Sequence, residues 1–183
     1  TLYSFGFNYL PETVLSAGTG YWLRFNSLGS VSLSGNSIND LTLNLEEDWN
    51  LISGITDPID INTIIDPDNI IIPGTFYGFG IGYEQSEILE PGKGYWVRSS
   101  GPGQIIISSN RNQSMKRPFV KPLEFASNIS FNGQMLYFGV DNLPPEERLS
   151  YSLPPKPPKG AFDVRFSGGW KFVNDYGEIE ITN

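Results

Sequence analysis

The stretch TFYGFGIGYEQSEILEPGKGYWVRSSGPGQIIISSN, residues 75–110, repeats the N-terminal stretch TLYSFGFNYLPETVLSAGTGYWLRFNSLGSVSLSGN, residues 1–36, without a gap. The two stretches share 14 of 36 residues at a constant offset of 74. The shared residues are mainly aromatic residues and glycines, which are typical of strand packing and tight turns. The chain therefore contains an internal repeat, which predicts two copies of one strand-turn-strand unit.

The rest of the chain also has the residue alternation of β-strands. LTLNLE places Leu41, Leu43 and Leu45 on one face of a strand, and VSLSG alternates Val31 and Leu33. With 20 glycines and 14 prolines between such runs, the chain has the pattern of many short strands joined by turns. The sequence therefore predicts an all-β fold of short antiparallel strands in β-sandwich or barrel-like modules.

Two further turns are expected in the C-terminal third of the chain. Asn132-Gly133 lies between two strand-like flanks and is a strong hairpin signal. Gly168-Gly169 in DVRFSGGWKFV predicts a second hairpin. The core predicted for this region consists of Phe131, Leu136, Tyr137, Phe138, Phe162, Val164, Phe166 and Trp170.

The repeat divides the chain into three predicted units. Residues 1–48 form a first, truncated β repeat, residues 49–117 form the second, and residues 118–183 form a C-terminal β module with a Pro-rich connector at 143–159. A PxxP spacing occurs in the connector, but a stiff spacer is favoured over an SH3-type ligand because the chain is acidic. The prolines that favour polyproline II are Pro154, Pro155, Pro157 and Pro158.

Composition excludes several classes of function. The net charge of −8 and the scatter of only 12 Lys and Arg residues argue against binding to nucleic acid or to an anionic membrane surface. No run of 18 apolar residues occurs, so no membrane insertion is expected. Because cysteine and histidine are absent, the chain has no disulfides, no thiolate nucleophile and no imidazole base.

Carboxylates are the remaining candidates for catalysis, above all in glycoside hydrolysis. The run Glu46, Glu47 and Asp48 is the clearest group, but a charge run of this kind usually forms a solvated face. We therefore predict no catalytic residues and no enzyme activity.

The segment PGKGYW, residues 91–96, resembles a ligand-binding loop, but it fits neither the P-loop nor the dinucleotide-binding spacing. Its lysine is a threonine in the first copy, so a turn that launches a strand is the simpler interpretation. Alternation along this strand places Trp96 and Arg98 on one face. That face is expected either to pack within the fold or to form a sugar platform, for which the candidates are Tyr21, Trp22, Tyr95, Trp96, Arg98 and Trp170.

The segment DPIDINTIIDPDN contains hard oxygen ligands of the type that Ca²⁺ takes. The EF-hand template fails here, because Ile71 and Tyr77 stand where it requires glycine and a bidentate glutamate. Turn initiation without metal is the alternative. The predicted ligands of a structural calcium ion are Asp57, Asp60, Asp66 and Asp68.

WNLISG at residues 49–54, followed by YGFGIGYEQSEILEPGKGYWVR at 77–98, resembles a tandem repeat near the C-terminus of large secreted and cell-surface proteins of Bacteroidota-like bacteria. The tail LPPKPPKGAFDVRFSGG, residues 153–169, is similar to the segment that often precedes a type IX secretion sorting domain in such proteins. The resemblance covers about two thirds of the chain and carries no catalytic residues with it.

The expectation for function follows from the composition and the resemblance together. The chain is expected to be a non-catalytic accessory module of a large extracellular or surface-attached bacterial protein, serving as scaffold, spacer or adhesive surface. The alternative is a carbohydrate-binding module, and a small glycoside hydrolase is the third alternative. The expected partners are polysaccharide or neighbouring domains of the same polypeptide.

Overall fold

Short β-strands account for most of the regular structure in the computed structural model, which describes residues 1–25, 27, 30, 32, 34–110, 123, 126–140 and 143–183. Single helical turns lie at Ile61–Thr63, Pro145–Arg148 and Leu149–Tyr151. The all-β prediction is confirmed. The described strands are β1 Leu2–Phe5, β2 Tyr9–Glu12, β3 Trp22–Leu23, β4 Asp40–Leu45, β5 Asp48–Ser53, β6 Ile59–Asp60, β7 Tyr77–Phe79, β8 Tyr83–Gln85, β9 Ile88–Leu89, β10 Gly94–Ser99, β11 Gly103–Ser108, β12 Ser127–Phe131, β13 Gln134–Phe138, β14 Asp163–Phe166, β15 Phe172–Val173 and β16 Ile179–Thr182.

The strands form several small sheets. The N-terminal sheet has the order β2-β1-β3, and the largest sheet has the order β5-β10-β7-β8. Three two-stranded sheets pair β4 with β11, β6 with β9 and β14 with β16, and the remaining sheet has the order β12-β13-β15. The pairs are antiparallel except for β13 and β15. The described strands close into no barrel, so the architecture is that of sandwich-like modules.

The two repeats have the same strand register. In each copy an antiparallel hairpin is followed, after a turn, by a strand that pairs with the first strand of the hairpin. The predicted sequence repeat is therefore a structural repeat as well. The cross-strand pairs related by the offset of 74 are Phe5–Tyr9 and Phe79–Tyr83 within the hairpins, and Tyr3–Trp22 and Tyr77–Trp96 between the first and third strands.

The turn before the third strand is also the same in both copies. Gly18 and Gly92 have φ angles of +86° and +71°, a region that favours glycine. Gly94 takes no such angle, so only the first glycine of PGKGYW is needed for its backbone conformation. One tyrosine hydroxyl closes each turn by accepting a backbone N–H bond: Ser16 to Tyr21 at 2.9 Å and Glu90 to Tyr95 at 2.8 Å.

Gly20 and Gly94 occupy equivalent positions, but only Gly20 touches a neighbouring backbone closely. A Cβ atom on Gly20 would lie 2.4 Å from the Ile52 carbonyl oxygen, whereas one on Gly94 would lie 3.5 Å from the Tyr21 nitrogen. We therefore expect Gly20→Ala to lower the free energy of unfolding by about 1–3 kcal/mol and Gly94→Ala to have little effect. Urea titrations of both variants measure this difference, and equal losses of stability would contradict it.

Beyond the third strand, the structure describes a further strand in the second copy. In the second copy β11 pairs with β4, so the two predicted units share a sheet. The alternation of Leu43 and Leu45 toward the core is confirmed, because both side chains are buried. The equivalent stretch of the first copy includes Val31 and Leu33, which lie outside the described residues. The domain boundaries near residues 48 and 117 stay predictions.

Strand β10 lies between two hydrophobic clusters and is buried on both faces. Tyr95 and Val97 point into an aliphatic cluster formed mainly by leucines and isoleucines of β4, β11 and the stretch from β5 to β9. Trp96 points the other way, into a cluster that we call the aromatic cluster. Its members come from both repeats and from the Pro-rich segment: Phe5, Tyr9, Trp22, Trp49, Leu51, Tyr77, Phe79, Tyr83, Trp96 and Leu153.

The C-terminal third follows the sequence prediction in part. Asn132 and Gly133 both have positive φ angles, as a tight hairpin turn between β12 and β13 requires. The turn at Gly168-Gly169 also forms, but β15 leaves it to pair in parallel with β13, while β14 pairs with β16. Within the predicted core Leu136, Val164 and Phe166 are buried, whereas Phe138 is exposed, so that one assignment is wrong.

Candidate functional site

The aromatic residues of PGKGYW are structural. Trp96 is 1% exposed and Tyr95 is 3% exposed, so neither ring offers a face to a ligand. Lys93 is exposed on the turn. Tyr95 and Trp96 are therefore core residues rather than parts of a sugar platform, and the packing alternative holds at this segment.

Trp22 and Trp96 make reciprocal contacts between the two repeats. The Trp96 ring lies edge-to-face on Phe5 at 4.7 Å between centroids, and the Trp22 ring lies edge-to-face on Phe79 at 4.5 Å. Because Phe5 and Phe79 are equivalent, the two copies pack with pseudo-twofold symmetry, as identical subunits do in an isologous dimer. Trp22 is half-buried by this contact and does not form an exposed coplanar pair with Trp96.

Arg98 stacks on a different tryptophan from the one that alternation suggested. Its guanidinium lies over the Trp49 ring, 5.8 Å from the centroid. Its Nε donates to Asp48 Oδ1 at 2.7 Å. Both contacts lie within the β5–β10 pair, where Arg98 is opposite Trp49, so Arg98 has a structural role.

The remaining platform candidates lie apart from one another. Tyr21 is half-buried, and its hydroxyl closes the turn of the first repeat. Trp170 is also half-buried; it packs against Phe172 at 5.9 Å between centroids and contributes to two clusters of the C-terminal module. Of the six platform candidates, four line one groove of about 450 Å³: Tyr21, Trp22, Tyr95 and Trp96. Arg98 and Trp170 lie outside this groove.

Two of the predicted calcium ligands, Asp60 and Asp66, act as turn caps. Asp60 accepts bonds from the backbone and side-chain nitrogens of Asn62, and Asp66 accepts from the backbone of Ile70 and Ile71. Among residues that the structure describes, no three acidic, histidine or cysteine side chains are grouped as metal ligands. The four carboxylates, including Asp57 and Asp68, are therefore not assembled into a calcium site.

The Pro-rich segment lies against the aromatic cluster. We call residues 153–159, LPPKPPK, the strap. Its carbonyl groups accept bonds from four side chains. Arg165 Nη1 donates to Pro154 O at 2.8 Å, the Tyr83 hydroxyl to Pro155 O at 2.6 Å, the Tyr9 hydroxyl to Lys156 O at 2.9 Å, and Arg24 Nη1 to Lys159 O at 3.5 Å. The two tyrosines occupy equivalent positions in the two repeats, so both copies hold the strap through the same side chain.

The burial pattern of the strap has the period of polyproline II, which is three residues per turn. Lys156 and Lys159 are exposed, while the prolines between and before them are buried or half-buried. Leu153 at the start of the strap is 5% exposed within the aromatic cluster. The sequence predicted the stiff connector but carried no signal for the surface that receives it, because Tyr9 and Tyr83 are 147 and 72 residues away from their partners.

A buried ion pair fixes the strap from the other side. Asp163 accepts bonds from Arg165 Nε at 2.6 Å and Nη2 at 2.8 Å, and the side chains are 1% and 4% exposed. The third guanidinium bond goes to the strap. The pair therefore links β14 to the repeats through Pro154.

The strap also forms one wall of a cleft of about 1,070 Å³. The opposite walls come from the β1–β2 hairpin and from the start of β5, where Trp49 lies beside Glu46 and Glu47. Phe7 at the tip of the hairpin lines this cleft and is fully exposed. The cleft therefore combines an exposed aromatic ring with polar side chains, as sites for small polar ligands do.

Comparison of the chain with protein-family models, curated proteins and solved structures gives no match. Among the described residues, no helical segment has the length and hydropathy needed to cross a membrane. Function is therefore inferred from the geometry of the aromatic cluster, the strap and the cleft.

Because of the tyrosines that hold the strap, the stability of the fold is expected to fall at alkaline pH. Burial raises the pKa of Tyr9 to about 12 and raises the pKa of Tyr83 well above its usual range. An unfolded tyrosine ionises near pH 10, so the stabilisation is complete below about pH 10 and is lost as the pH rises toward 12. Thermal melts between these pH values should show a falling midpoint, and the fall should be smaller in Tyr9→Phe. Identical slopes in the variant and the natural chain would contradict this assignment.

Proposed function

We propose that this chain is a non-catalytic accessory module of a large secreted or surface-attached bacterial protein, in which it serves as scaffold, spacer or adhesive surface. The observation that carries the proposal is the use made of the repeat. The aromatic side chains shared by the two copies, which are the residues most like a ligand site, pack on one another across a pseudo-twofold interface. Duplication has therefore produced a larger core from two small units.

The polar residues support the same proposal. The carboxylates of Asp48 and Asp163 are bonded to arginines, and those of Asp60 and Asp66 cap turns. With no histidine in the sequence, a hydrolytic site would need two carboxylates available to a substrate. The carboxylates named here are instead engaged in holding the fold together.

A hydrolysis assay tests the absence of catalysis. The purified chain is incubated with a panel of soluble polysaccharides, and the release of reducing ends is measured against a blank. We expect no release above the blank. A turnover that a single Asp or Glu substitution abolishes would overturn the proposal.

The scaffold role has a test of its own. The aromatic cluster draws residues from both repeats and from the strap. The two repeats and the strap should therefore unfold together in one cooperative transition. Urea unfolding followed by tryptophan fluorescence and by far-UV circular dichroism should give coincident transitions. Separate transitions for the two repeats would show flexibly linked units rather than a scaffold.

Carbohydrate binding is the second candidate, and the exposed ring of Phe7 in the large cleft favours it. Aromatic rings stack on the apolar faces of sugars, while nearby carboxylates and amides can bond to hydroxyl groups. The cleft is lined by Glu46, Glu47 and Asp48 against Lys156 and Lys159, so its carboxylates outnumber its ammonium groups, and with the net charge of −8 this disfavours acidic glycans. The ligand class would therefore be a neutral oligosaccharide.

Replacing the exposed ring tests this candidate. In Phe7→Ala we expect the affinity for a neutral oligosaccharide found on a glycan array to fall about tenfold. The melting temperature should not change, because Phe7 buries no surface. Phe25→Ala is the matched control, since Phe25 is exposed but does not line the cleft. Unchanged binding in Phe7→Ala, or an array without neutral ligands, would exclude the cleft as a sugar site.

A further inference from the structure

The contacts of the strap are those of a bound peptide rather than of a strand. Its four prolines lack backbone N–H groups, so from Pro154 onward the bonds that hold the segment are accepted by its carbonyl oxygens. The carbonyl bonds come from side chains of Tyr9, Arg24, Tyr83 and Arg165 rather than from a neighbouring strand. Domains that recognise proline-rich peptides use this arrangement, in which aromatic grooves receive a preformed polyproline II helix.

The surface that receives the strap is formed mainly by the repeats and not by the module that carries the strap. Tyr9 and Trp22 come from the first copy, and Tyr83 and Phe79 come from the second. The strap itself is anchored in the C-terminal module, where Leu153 N–H donates to Gly169 O at 2.7 Å. Ligand and receptor therefore lie in different parts of the chain, as two binding partners joined by a tether would.

We propose that the face formed by Tyr9, Trp22, Phe79 and Tyr83 is a binding site for proline-rich segments, and that the strap is its built-in ligand. When the strap is released, the site takes a segment of the same chemistry from another chain: prolines on the two inward faces and a basic residue at every third position. The basic residues fit an acidic receptor, because Glu46 and Glu47 line the same cleft as Lys156 and Lys159 and the chain carries a net charge of −8.

Polyproline binding goes beyond the accessory role. A scaffold that only stiffens its parent protein needs the strap as a brace, whereas a polyproline receptor also joins its parent to a second chain. The two roles differ in the state that results when the strap is weakened. A brace leaves an unstable protein, but a built-in ligand leaves an empty site that a peptide in solution can fill.

The test uses the full chain with the substitutions Pro155→Gly and Pro158→Gly together. These changes remove two half-buried rings and the stiffness of the strap, and they keep Leu153 and the flanking strands. The probe is a fluorescent peptide with the sequence of residues 151–161, YSLPPKPPKGA, and its binding is measured by fluorescence anisotropy. The matched control is Pro58→Gly with Pro102→Gly, which makes the same change at two exposed prolines outside the strap.

We expect the double variant to bind the peptide at least tenfold more tightly than the natural chain or the control with Pro58→Gly and Pro102→Gly, because its own ligand no longer competes. Adding Tyr9→Phe and Tyr83→Phe to the double variant should weaken binding about tenfold by removing two hydroxyl donors. A peptide with alanine at all four prolines should not bind. Near-UV circular dichroism of the tryptophans reports whether each variant is folded.

Three results would overturn the proposal. The first is a folded double variant that binds no better than the natural chain. The second is equal binding of the alanine peptide, which would show apolar adhesion without polyproline recognition. The third is loss of the fold in both the double variant and the milder Pro158→Gly variant, because a segment whose weakening unfolds the chain is part of the core and not a ligand.

Discussion

Asp163→Ala is expected to lower the free energy of unfolding by about 3–5 kcal/mol, because it leaves a buried arginine without its counterion. The Asp163 and Arg165 side chains are 1% and 4% exposed and are joined by two hydrogen bonds. Removing the carboxylate leaves the guanidinium with its single bond to Pro154 O at 2.8 Å. Urea titrations measure the loss: the shift of the unfolding midpoint, multiplied by the m-value of the natural chain, gives the change in the free energy of unfolding.

Two matched variants separate the cost of an unpaired charge from the cost of lost packing. Asp163→Leu combined with Arg165→Met removes both charges, so it should be clearly more stable than Asp163→Ala. Glu180→Ala breaks an exposed pair with Lys156 and should have little effect. If Asp163→Ala were no more harmful than Glu180→Ala, the buried pair would not be the anchor of β14.

The repeat made much of the fold predictable from the sequence. Register in a sheet is fixed by turn geometry and by which face is buried. The two copies share their turn glycines, Gly18 and Gly92, and their tryptophans, Trp22 and Trp96, and they share the same register as well. The Asn132-Gly133 hairpin was predictable for the same reason, since its turn residues dictate positive φ angles.

The faces of β10 were less predictable, because alternation only separates two faces and does not say what covers each one. Tyr95 and Trp96 point to opposite sides, and both are buried because β10 lies inside its sheet between two clusters. Arg98 contacts Trp49, which is its cross-strand partner on β5. The sequence alone does not show that β10 pairs with β5, so it does not identify Trp49 as the residue opposite Arg98.

The candidate site was missed because its contacts join distant parts of the chain. In the sequence, Tyr9 and Tyr83 are two of the aromatic residues shared by the repeats, and the prolines of the strap predict only a stiff spacer. A local signal did exist for the ion pair: Asp163 and Arg165 are two residues apart in DVRF, which places both on one face of a strand. Opposite charges on one face of a strand whose other face carries Val164 and Phe166 indicate pairing rather than two solvated side chains.

Trp96→Ala is the second substitution expected to have a large effect, with a loss of about 3–5 kcal/mol in the free energy of unfolding. Trp96 is 1% exposed, and its ring contacts Phe5 of the other repeat at 4.7 Å between centroids. Its removal leaves a cavity at the interface between the copies, where the neighbouring rings are fixed by their own strands. The surrounding structure can therefore relax only in part.

The internal repeat supplies the control for this prediction. Trp22→Ala removes the same side chain at the equivalent position, but Trp22 is only half-buried, so its loss should be clearly smaller. Lys93→Ala, in the turn before Trp96, should stay within about 0.5 kcal/mol of the natural chain because the lysine is exposed. Urea titrations of the three variants measure this order. A stable Trp96→Ala protein would contradict the packing role that the burial of Trp96 predicts. A Lys93→Ala protein that keeps its stability but loses a glycan or peptide ligand would show that PGKGYW is a binding site.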